Sequence, residues 1–293
     1  MSDPAEQMIT PDLLRGWPLP SAGAGKYSRG QVVVVGGAAR TPGAAMLGAL
    51  AALRVGAGRL TLAVAGSVAP HVAVALPEAG VVPLDETPGG HVVGASLGAA
   101  LGDLEGADAV LAGSGLDDAD EAEALVRLLP SLVGPDAVVV LDAFALGVLP
   151  RCGSALDPLR GRLVVTPNSS EAGRLLGRDV DDLPDDLPDD LREIARRWEA
   201  VVACQSLVAA PDGRVWRSGA GHPGLGTSGS GDVLAGAVAG LSARGAEPAQ
   251  AAVWATHAHA SAGDRLSVGV GPLGFLASEL LDELPRVLVE VGG

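Results

Sequence analysis

A chain of 293 residues is long enough for one large α/β domain or two small ones, and no linker in it suggests a division. Hydrophobic residues make up 48% but aromatic residues only 2%, so Ala, Val and Leu must build the core, and the lack of a fixed Gly/Pro period excludes a collagen-like chain. The net charge of -15 repels nucleic acid and anionic lipid, which excludes a DNA-binding protein and argues against a membrane partner.

The two cysteines and the N-terminal residues indicate a cytoplasmic protein. Cys152 and Cys204 do not have the spacing of metal ligands, so we expect reduced, inert thiols rather than a disulfide. The N-terminus has no basic start followed by an apolar stretch, so no signal peptide is expected. An uninterrupted apolar run of about 18 residues is also missing, so we expect no membrane span.

Strands and helices alternate along the chain, beginning with a lead-in that holds a short helix near Pro11–Arg15. The strand Gln31–Val35, the helix Gly43–Val55 and the strand Arg59–Ala65 form one βαβ unit. The alternation continues through the strands Ala107–Ala112, Ala137–Asp142, Arg162–Thr166, one or two within Val201–Ala210 and a hairpin partner at Val215–Ser218, and through the helices Asp120–Leu129, Val233–Arg244, Ala249–Leu266 and Leu273–Leu288. This pattern predicts an α/β fold with helices on both faces of a mostly parallel sheet, in a single domain over residues 1–293.

The strongest local signal is the run of small residues from Thr227 to Gly231, directly before a predicted helix. Such a turn lets backbone N–H groups surround an anion, and the helix adds its positive end. Asp232 then falls in the first helical turn, where a carboxylate can take a proton from a hydroxyl that attacks a phosphoryl group. For this motif alone, an ordinary Gly-rich loop with Asp as helix cap would be the better interpretation.

Two further glycine turns favour a binding site over an ordinary loop. Gly36-Gly37 and Gly113-Ser114-Gly115 each follow a predicted parallel strand, at the edge where α/β sheets bind ligands. Neither has the spacing of a dinucleotide-binding or P-loop motif. Together with the turn before Asp232, they predict a ligand crevice along one edge of the sheet.

Asn168 and Glu171 follow another predicted strand and have two interpretations of equal weight. Residues three apart face the same way on a helix, so Glu171 could orient water around Mg²⁺, which prefers oxygen ligands. The pair could equally cap the helix that begins there. The chain has no His-x-x-x-His and no metal-type Cys cluster, so we expect no directly bound metal. The acidic run Asp179–Asp190 reads as a solvated loop that leads into a helix with Asp in its first turn.

Three stretches, in their order and spacing, resemble the nucleotide-dependent NAD(P)H-hydrate dehydratases of the ribokinase-like superfamily. The resemblance runs from about Lys26 to Leu288, nearly the whole chain. The stretches are KYSRGQVVVVGGAARTPGAAMLGALAALRVGAGRLTLA at the start, TPNSSEAGRLLG in the middle, and GLGTSGSGDVLAGAVAGL with HAHASAGDRL near the end. The resemblance implies a three-layer α/β/α sandwich with a mostly parallel central sheet.

The resemblance also implies a reaction and a set of site residues. In this family ADP or ATP, with Mg²⁺, phosphorylates the ring hydroxyl of hydrated NADH or NADPH, and phosphate then leaves to restore the double bond. The implied partners are thus NAD(P)H-hydrate and an adenine nucleotide, and by analogy with the fold we expect a homo-oligomer, a dimer or a tetramer. The implied catalytic and substrate-binding carboxylate is Asp232; the implied phosphate-binding residues are Thr227, Gly229, Ser230 and Gly231; the implied lining of the substrate pocket is Ala44, Gly115 and Asn168.

Two departures from the family pattern keep other functions open. Asn168 stands where the family has a substrate-contacting His, and residues 201–208, VVACQSLV, lack the Lys that the family places near the nucleotide. One alternative is a small-molecule kinase of the same fold, acting on a sugar or a vitamin precursor, which the Thr-Pro-Asn-x-x-Glu form favours. A second alternative is a non-catalytic nucleotide-binding relative, against which the intact Asp232 argues.

Overall fold

The computed structural model describes residues 6–21, 23, 25–178 and 187–292, and the strands in these residues join one sheet. In chain order the strands are β1 (Gln7–Ile9), β2 (Gln31–Val35), β3 (Arg59–Ala65), β4 (Gly80–Leu84), β5 (Ala109–Ala112), β6 (Val138–Leu141), β7 (Leu163–Val165), β8 (Ala200–Cys204), β9 (Leu207–Ala209) and β10 (Val215–Ser218).

Helices fill most of the connections between these strands. They are α1 (Pro11–Gly16), α2 (Pro42–Arg54), α3 (Ala69–Ala75), α4 (Leu101–Glu105), α5 (Ala119–Leu132), α6 (Phe144–Cys152), α7 (Ser169–Leu176), α8 (Pro188–Trp198), α9 (Ser230–Ala243), α10 (Pro248–Gly269) and α11 (Ala277–Val291). Short 3-10 helices lie at Lys26–Arg29, Gly94–Ala100, Gly153–Leu159 and Pro223–Leu225. Within the described residues, none of these helices combines the length and the apolar character needed to cross a membrane.

The sheet is mostly parallel, and its strand order decides which loops meet. The order is β1-β10-β9-β8-β7-β6-β5-β2-β3-β4, and only β9 runs antiparallel to its neighbours. β2 lies at the centre of the parallel part, where Val33 pairs with Thr61 on one side and Val110 on the other. The carboxyl ends of β2, β5, β6 and β7 are therefore adjacent at one edge, which is the ligand-binding edge of such sheets.

Two hydrophobic cores lie on opposite faces of the sheet. Val32 and Val34 of β2 pack with α2, α9, α10 and α11, whereas Val33 and Val35 pack with α5, α6, α7 and α8. Successive side chains of a strand point to opposite faces, so a strand that is apolar at every position must be covered on both. The three-layer α/β/α arrangement is thus confirmed.

Small residues bring α2 unusually close to α9. A Cβ added to Gly236 would lie 2.0 Å from the carbonyl oxygen of Gly48, and one added to Gly48 would lie 3.3 Å from the carbonyl oxygen of Asp232. Glycine at both positions lets the two backbones touch. The Ala- and Gly-rich composition therefore holds the start of α9 close to α2.

The central strands and the predicted helices are present, but the structure also has the helices α3, α4 and α6, which were not expected, and it differs at the sheet edges and at the last helix. The two edge strands β1 and β4 were not expected: β1 has three residues, and β4 contains Pro83 and is only partly buried. The last helix begins at Ala277 rather than Leu273, because Gly274 adopts a φ of 108° that ends helical geometry. Of the acidic run, residues 179–186 lie outside the described residues.

The remainder of that acidic run begins α8. Asp189 and Asp190 lie in the first turn of this helix, as expected. Asp190 is buried rather than solvated, because it pairs with Arg178 across the start of the helix. The two cysteines also follow expectation: both are buried free thiols, and burial raises the pKa of Cys152 to about 11 and that of Cys204 to about 12.

Candidate active site

The turn before α9 has the geometry of an anion-binding loop. Gly229 adopts a φ of 90°, and a Cβ there would lie 2.5 Å from Cδ1 of Leu47, so only glycine fits. The carbonyl of Thr227 accepts the N–H of Ser230 at 3.2 Å and closes the turn. No side chain among the described residues caps α9, so the N–H groups of Gly231 and Asp232 have no side-chain partner there. The start of this helix is thus free to hold an anion.

Asp232 lies in the first turn of α9 and is half-buried. Burial raises the pKa of its carboxyl group, and a hydrogen bond from the side chain of Ser114, after β5, opposes that rise. A raised pKa makes the carboxylate a stronger base. The position and the chemistry both suit a group that removes a proton from a hydroxyl next to a bound phosphate.

Asp142 is a second carboxyl group at this site, and the sequence analysis did not assign it. It follows β6 and is 4% exposed. Thr166 Oγ1 donates a hydrogen bond to its Oδ1 at 2.8 Å, and Ser114 Oγ lies 3.4 Å from its Oδ2. Burial, and then the negative charge of Asp232, raise the pKa of Asp142 to about 7. The signal in the sequence was a carboxylate at the end of a buried strand, beside two other strand ends.

Glu171 is electrostatically coupled to both of these groups. Burial raises the pKa of Glu171, with a contribution from the charge of Asp232, and Glu171 in turn contributes to the raised pKa of Asp142. Like charges that raise one another's pKa favour a bound cation or a shared proton. Over the described ranges, no set of three or more His, Cys, Asp or Glu side chains has the arrangement of a direct metal site. The oxygen donors fit a Mg²⁺ ion that the nucleotide phosphates carry and that keeps its water.

Asn168 and Glu171 form a capping box at the start of α7. The N–H of Glu171 donates to Asn168 Oδ1 and the N–H of Asn168 donates to Glu171 Oε2, both at 2.9 Å. The capping interpretation is therefore confirmed. The other interpretation, a water-mediated contact to Mg²⁺, remains a prediction, and Glu171 still has a second carboxylate oxygen for it.

A cavity of about 640 Å³ opens beside the start of α9. Ser230, Gly231 and Asn168 line it, whereas Asp232, Thr227, Gly229, Ala44 and Gly115 do not. Its other walls come from the residues after β7, from the β8–β10 strands, from the loop before α9, and from α9 and α10: Thr166, Pro167, Ala203, Gln205, Ser206, Ser218, Gly219, Ala220, Gly221, His222, Pro223, Leu225, Gly226, Leu234, His259 and Ala260. Among these described residues there is no Lys or Arg, so an anion in this cavity must rely on N–H groups, hydroxyls and His.

Ala44 and Gly115 lie near Asp232 but outside this cavity. Thr41 Oγ1 donates to the carbonyl of Gly115 at 2.8 Å, and Ala44 follows Thr41 in the first turn of α2, the helix that packs against α9. Ser114, which hydrogen-bonds Asp232, precedes Gly115. The structure therefore places Ala44 in the first turn of the helix that packs against α9, and Gly115 directly after Ser114.

The two earlier glycine turns pack on each other. The N–H of Gly37 donates to the carbonyl of Ser114 at 2.9 Å, and the N–H of Ala38 donates to that of Gly115 at 2.8 Å. These N–H groups are thus committed within the protein and do not face a ligand. The turns contribute to the site by fixing Ser114 and Gly115 next to Asp232.

Comparisons with known proteins agree with this geometry. The family model described as NAD(P)H-hydrate dehydratase matches residues 32–286. The ADP-dependent (S)-NAD(P)H-hydrate dehydratase of Xanthomonas campestris pv. campestris is 42% identical over 98% of both chains. The bifunctional NAD(P)H-hydrate repair enzyme of Moorella thermoacetica is 36% identical over 88% of this chain, which spans about half (49%) of that relative.

A solved structure resembles the whole chain. The ADP/ATP-dependent NAD(P)H-hydrate dehydratase from Bacillus subtilis, co-crystallised with ATP and Mg²⁺, superposes with a TM-score of 0.79 over 99% of both chains. Its sequence is 26% identical. This likeness and the strand order described above establish the ribokinase-like fold that the sequence predicted.

Proposed function

Because the chain belongs to the NAD(P)H-hydrate dehydratase family, we propose that it is a carbon–oxygen lyase that returns (S)-NAD(P)H-hydrate to NAD(P)H at the expense of ADP or ATP. The observation that supports this most is the position of Asp232, in the first turn of a helix whose N-terminus no described side chain caps and which borders a cavity of about 640 Å³. In this proposal Asp232 is the base, and it acts between the anion-binding turn and the substrate-binding residues Ala44 and Gly115.

The residues account for the first step, a phosphoryl transfer. The ring hydroxyl of the hydrate attacks the terminal phosphoryl group of the nucleotide, and Asp232 accepts the hydroxyl proton. The bond from that phosphorus to the bridging oxygen breaks, so AMP leaves when the donor is ADP. The N–H groups of Gly231 and Asp232 and the hydroxyl of Ser230 hold the transferred group.

The second step is an elimination. The ring carbon–oxygen bond that the hydrate already had breaks, phosphate leaves with that oxygen, and a neighbouring ring carbon loses a proton so that the double bond returns. Asp232 and the phosphate itself are the groups at hand to exchange these protons. Asp142, with a pKa of about 7, is a second carboxyl group beside Asp232 that can gain and lose a proton near neutral pH.

Mg²⁺ would neutralise charge on the transferred phosphoryl group. The described residues that fit it are Asp142 and Glu171, whose oxygen atoms share the negative patch beside Asp232. Glu171 would contact the ion through water, since one of its oxygens already serves the capping box of α7.

The test is recovery of the dihydronicotinamide absorbance when the protein is mixed with NADPH hydrate, Mg²⁺ and either ADP or ATP. We expect recovery, and we expect Asp232→Asn to slow it by about 10²–10⁴ while ADP still binds. Consumption of nucleotide with a simple alcohol but not with the hydrate would instead indicate the kinase. Tight nucleotide binding without any turnover would indicate the non-catalytic relative.

Three finer statements belong to the same proposal. We propose a cytoplasmic protein, a single catalytic domain over residues 1–293, and a homo-oligomer. Light scattering on the purified chain measures the oligomeric state. Parallel assays with NADH hydrate and NADPH hydrate, each with ADP and ATP, measure the preferred pair of substrates.

A further inference from the structure

His259 contacts Ser230 through one ring nitrogen at two points. His259 lies in the middle of α10 and is 8% exposed, and Ser230, the first residue of α9, is 4% exposed. The Nε2 atom of His259 is 2.9 Å from Ser230 Oγ and 3.0 Å from the carbonyl oxygen of Ser230. Both residues line the cavity beside the anion-binding turn.

The carbonyl contact determines the tautomer of His259. A carbonyl oxygen has lone pairs and no hydrogen, so an atom hydrogen-bonded to it must donate. Nε2 must therefore carry a hydrogen, since a bare ring nitrogen would face the carbonyl lone pairs. Burial lowers the pKa of His259 to about 4, so at neutral pH the ring is uncharged and holds this single hydrogen on Nε2.

The tautomer in turn determines what the hydroxyl of Ser230 can do. A ring nitrogen that carries a hydrogen cannot accept one. Ser230 Oγ must therefore accept the hydrogen of Nε2, either alone or together with the carbonyl oxygen of Ser230. The hydroxyl hydrogen of Ser230 is then left for another acceptor on the cavity side. With the opposite tautomer, Ser230 would donate to the ring and present only lone pairs to an anion.

We propose that His259 is a positioning residue that commits the Ser230 hydroxyl to donate a hydrogen bond to the nucleotide phosphate. This inference rests on the proposed function, because it takes the anion at the start of α9 to be that phosphate. The donor is important here because none of the described residues that line the cavity is Lys or Arg. Each hydrogen-bond donor therefore supplies a larger fraction of the interactions that stabilise the negative charge of the phosphate.

A double-mutant cycle on ADP binding tests the proposal without requiring turnover. Titration calorimetry gives the Kd of ADP for the native chain, Ser230→Ala, His259→Leu and the double variant. We expect each single variant to weaken binding about 10- to 100-fold, as for loss of one hydrogen bond to a charged group, and the double variant to be no weaker than Ser230→Ala. Additive losses, or no loss in Ser230→Ala, would overturn the proposal.

Two further variants separate positioning from packing. Gln at position 259 places an N–H donor near the native Nε2, so His259→Gln is expected to keep the Kd within a few-fold of native, even if His259→Leu does not fold. His257 is half-buried on the same helix, and its Nδ1 has no hydrogen-bond partner among described residues, so His257→Leu is the matched control and should leave the Kd unchanged. A His259→Gln variant that binds ADP as poorly as Ser230→Ala contradicts the proposal.

The tautomer is measurable directly. Nitrogen NMR of isotopically labelled histidines distinguishes a ring protonated at Nε2 from one protonated at Nδ1. We expect the Nε2–H form for His259, and the Nδ1–H form would overturn the inference. If NADPH hydrate proves not to be a substrate while the binding cycle and the tautomer agree with expectation, the proposed reaction fails and the role of His259 stands.

Discussion

Asp142 and Asp232 form an electrostatically coupled pair at the carboxyl edge of the sheet. Burial comes first among the causes that raise the pKa of Asp142 to about 7, and the negative charge of Asp232 comes second. Asp142 carries the larger shift because it is almost fully buried, at 4% exposed, whereas Asp232 is half-buried. Burial thus raises the pKa of both carboxyl groups, and Asp142, with a pKa of about 7, is close to half-protonated at neutral pH.

Replacing Asp142 with Asn should change how stability depends on pH. A carboxyl group whose pKa is higher in the folded state than the usual value near 3.8 stabilises the fold below about pH 4 and loses that contribution as pH rises through about 7. Asn accepts the same hydrogen bond from Thr166 but cannot ionise. We therefore expect Asp142→Asn to be more stable than the native chain at about pH 8, by up to roughly 4 kcal/mol, and similar to it at about pH 4.

Chemical denaturation at both pH values measures these free energies of unfolding. The control is Asp232→Asn, which removes the second cause of the raised pKa of Asp142. The pKa of Asp142 should then fall towards its usual value. This variant should therefore also be more stable than the native chain at neutral pH, but by less than Asp142→Asn. A difference between Asp142→Asn and the native chain that stays constant from acid to neutral pH would show that Asp142 is not buried in the way described.

Gly229 should be the glycine of the anion-binding turn whose substitution destabilises the fold. Its φ of 90° is costly for any residue with a Cβ, and that atom would also meet Leu47 at 2.5 Å. We expect Gly229→Ala to lose at least about 1–2 kcal/mol and to lower Tm by several degrees. Gly231→Ala is the matched control, since a Cβ there meets no atom within 4 Å and the residue is helical. Equal Tm values for the two variants, from calorimetric scans, would contradict the assigned backbone geometry.

The parts of the site that the sequence could predict are those in which residue type alone limits the chemistry. A run of small residues before an apolar helix, followed by Asp232, predicted the turn once two other glycine turns were found at strand ends. The β-branched run Gln31–Val35 predicted a buried strand. The edge strand Gly80–Leu84 was not predicted, because Pro83 and partial exposure removed the pattern that marks a buried strand.

Asp142 could not be assigned from the sequence because its role depends on strand order. Nothing in a single sequence says that β5, β6 and β7 are neighbours, and only that order brings Ser114 and Thr166 to the two oxygens of Asp142. The same holds for the cavity, whose wall comes from the hairpin around Gln205 and Ser206. These contacts join residues far apart in the chain, and local periodicity carries no information about them.

His222 should bind the nucleotide in place of a lysine. Its Nδ1 accepts the N–H of Gly224 at 3.0 Å, which leaves Nε2–H as a donor in the cavity. We expect His222→Ala to raise the KM for ADP about 10- to 100-fold, the range for losing a hydrogen bond to a charged group, without changing the KM for NADPH hydrate.

Two variants make the His222 experiment specific. His222→Asn keeps an acceptor for the N–H of Gly224 but loses the distal donor, so it should resemble His222→Ala in its KM for ADP. His71→Ala removes an exposed histidine of α3 and should leave both KM values unchanged. Equal rises in both KM values for His222→Ala would indicate a general disturbance of the site.

Glu171→Gln should separate the capping role of Glu171 from a role at Mg²⁺. The side-chain oxygen of Gln can still accept the N–H of Asn168, so the capping box persists and Tm should not change. The negative charge is lost, so if Glu171 orients water on Mg²⁺ the concentration of Mg²⁺ needed for half-maximal activity should rise about 10-fold or more. Asn168→Ala does the reverse: it removes the cap and about 1 kcal/mol of stability, and it leaves the Mg²⁺ requirement unchanged. Titrating activity with Mg²⁺ and measuring Tm for both variants gives the answer, and a Glu171→Gln enzyme with the native Mg²⁺ requirement would limit Glu171 to its capping role.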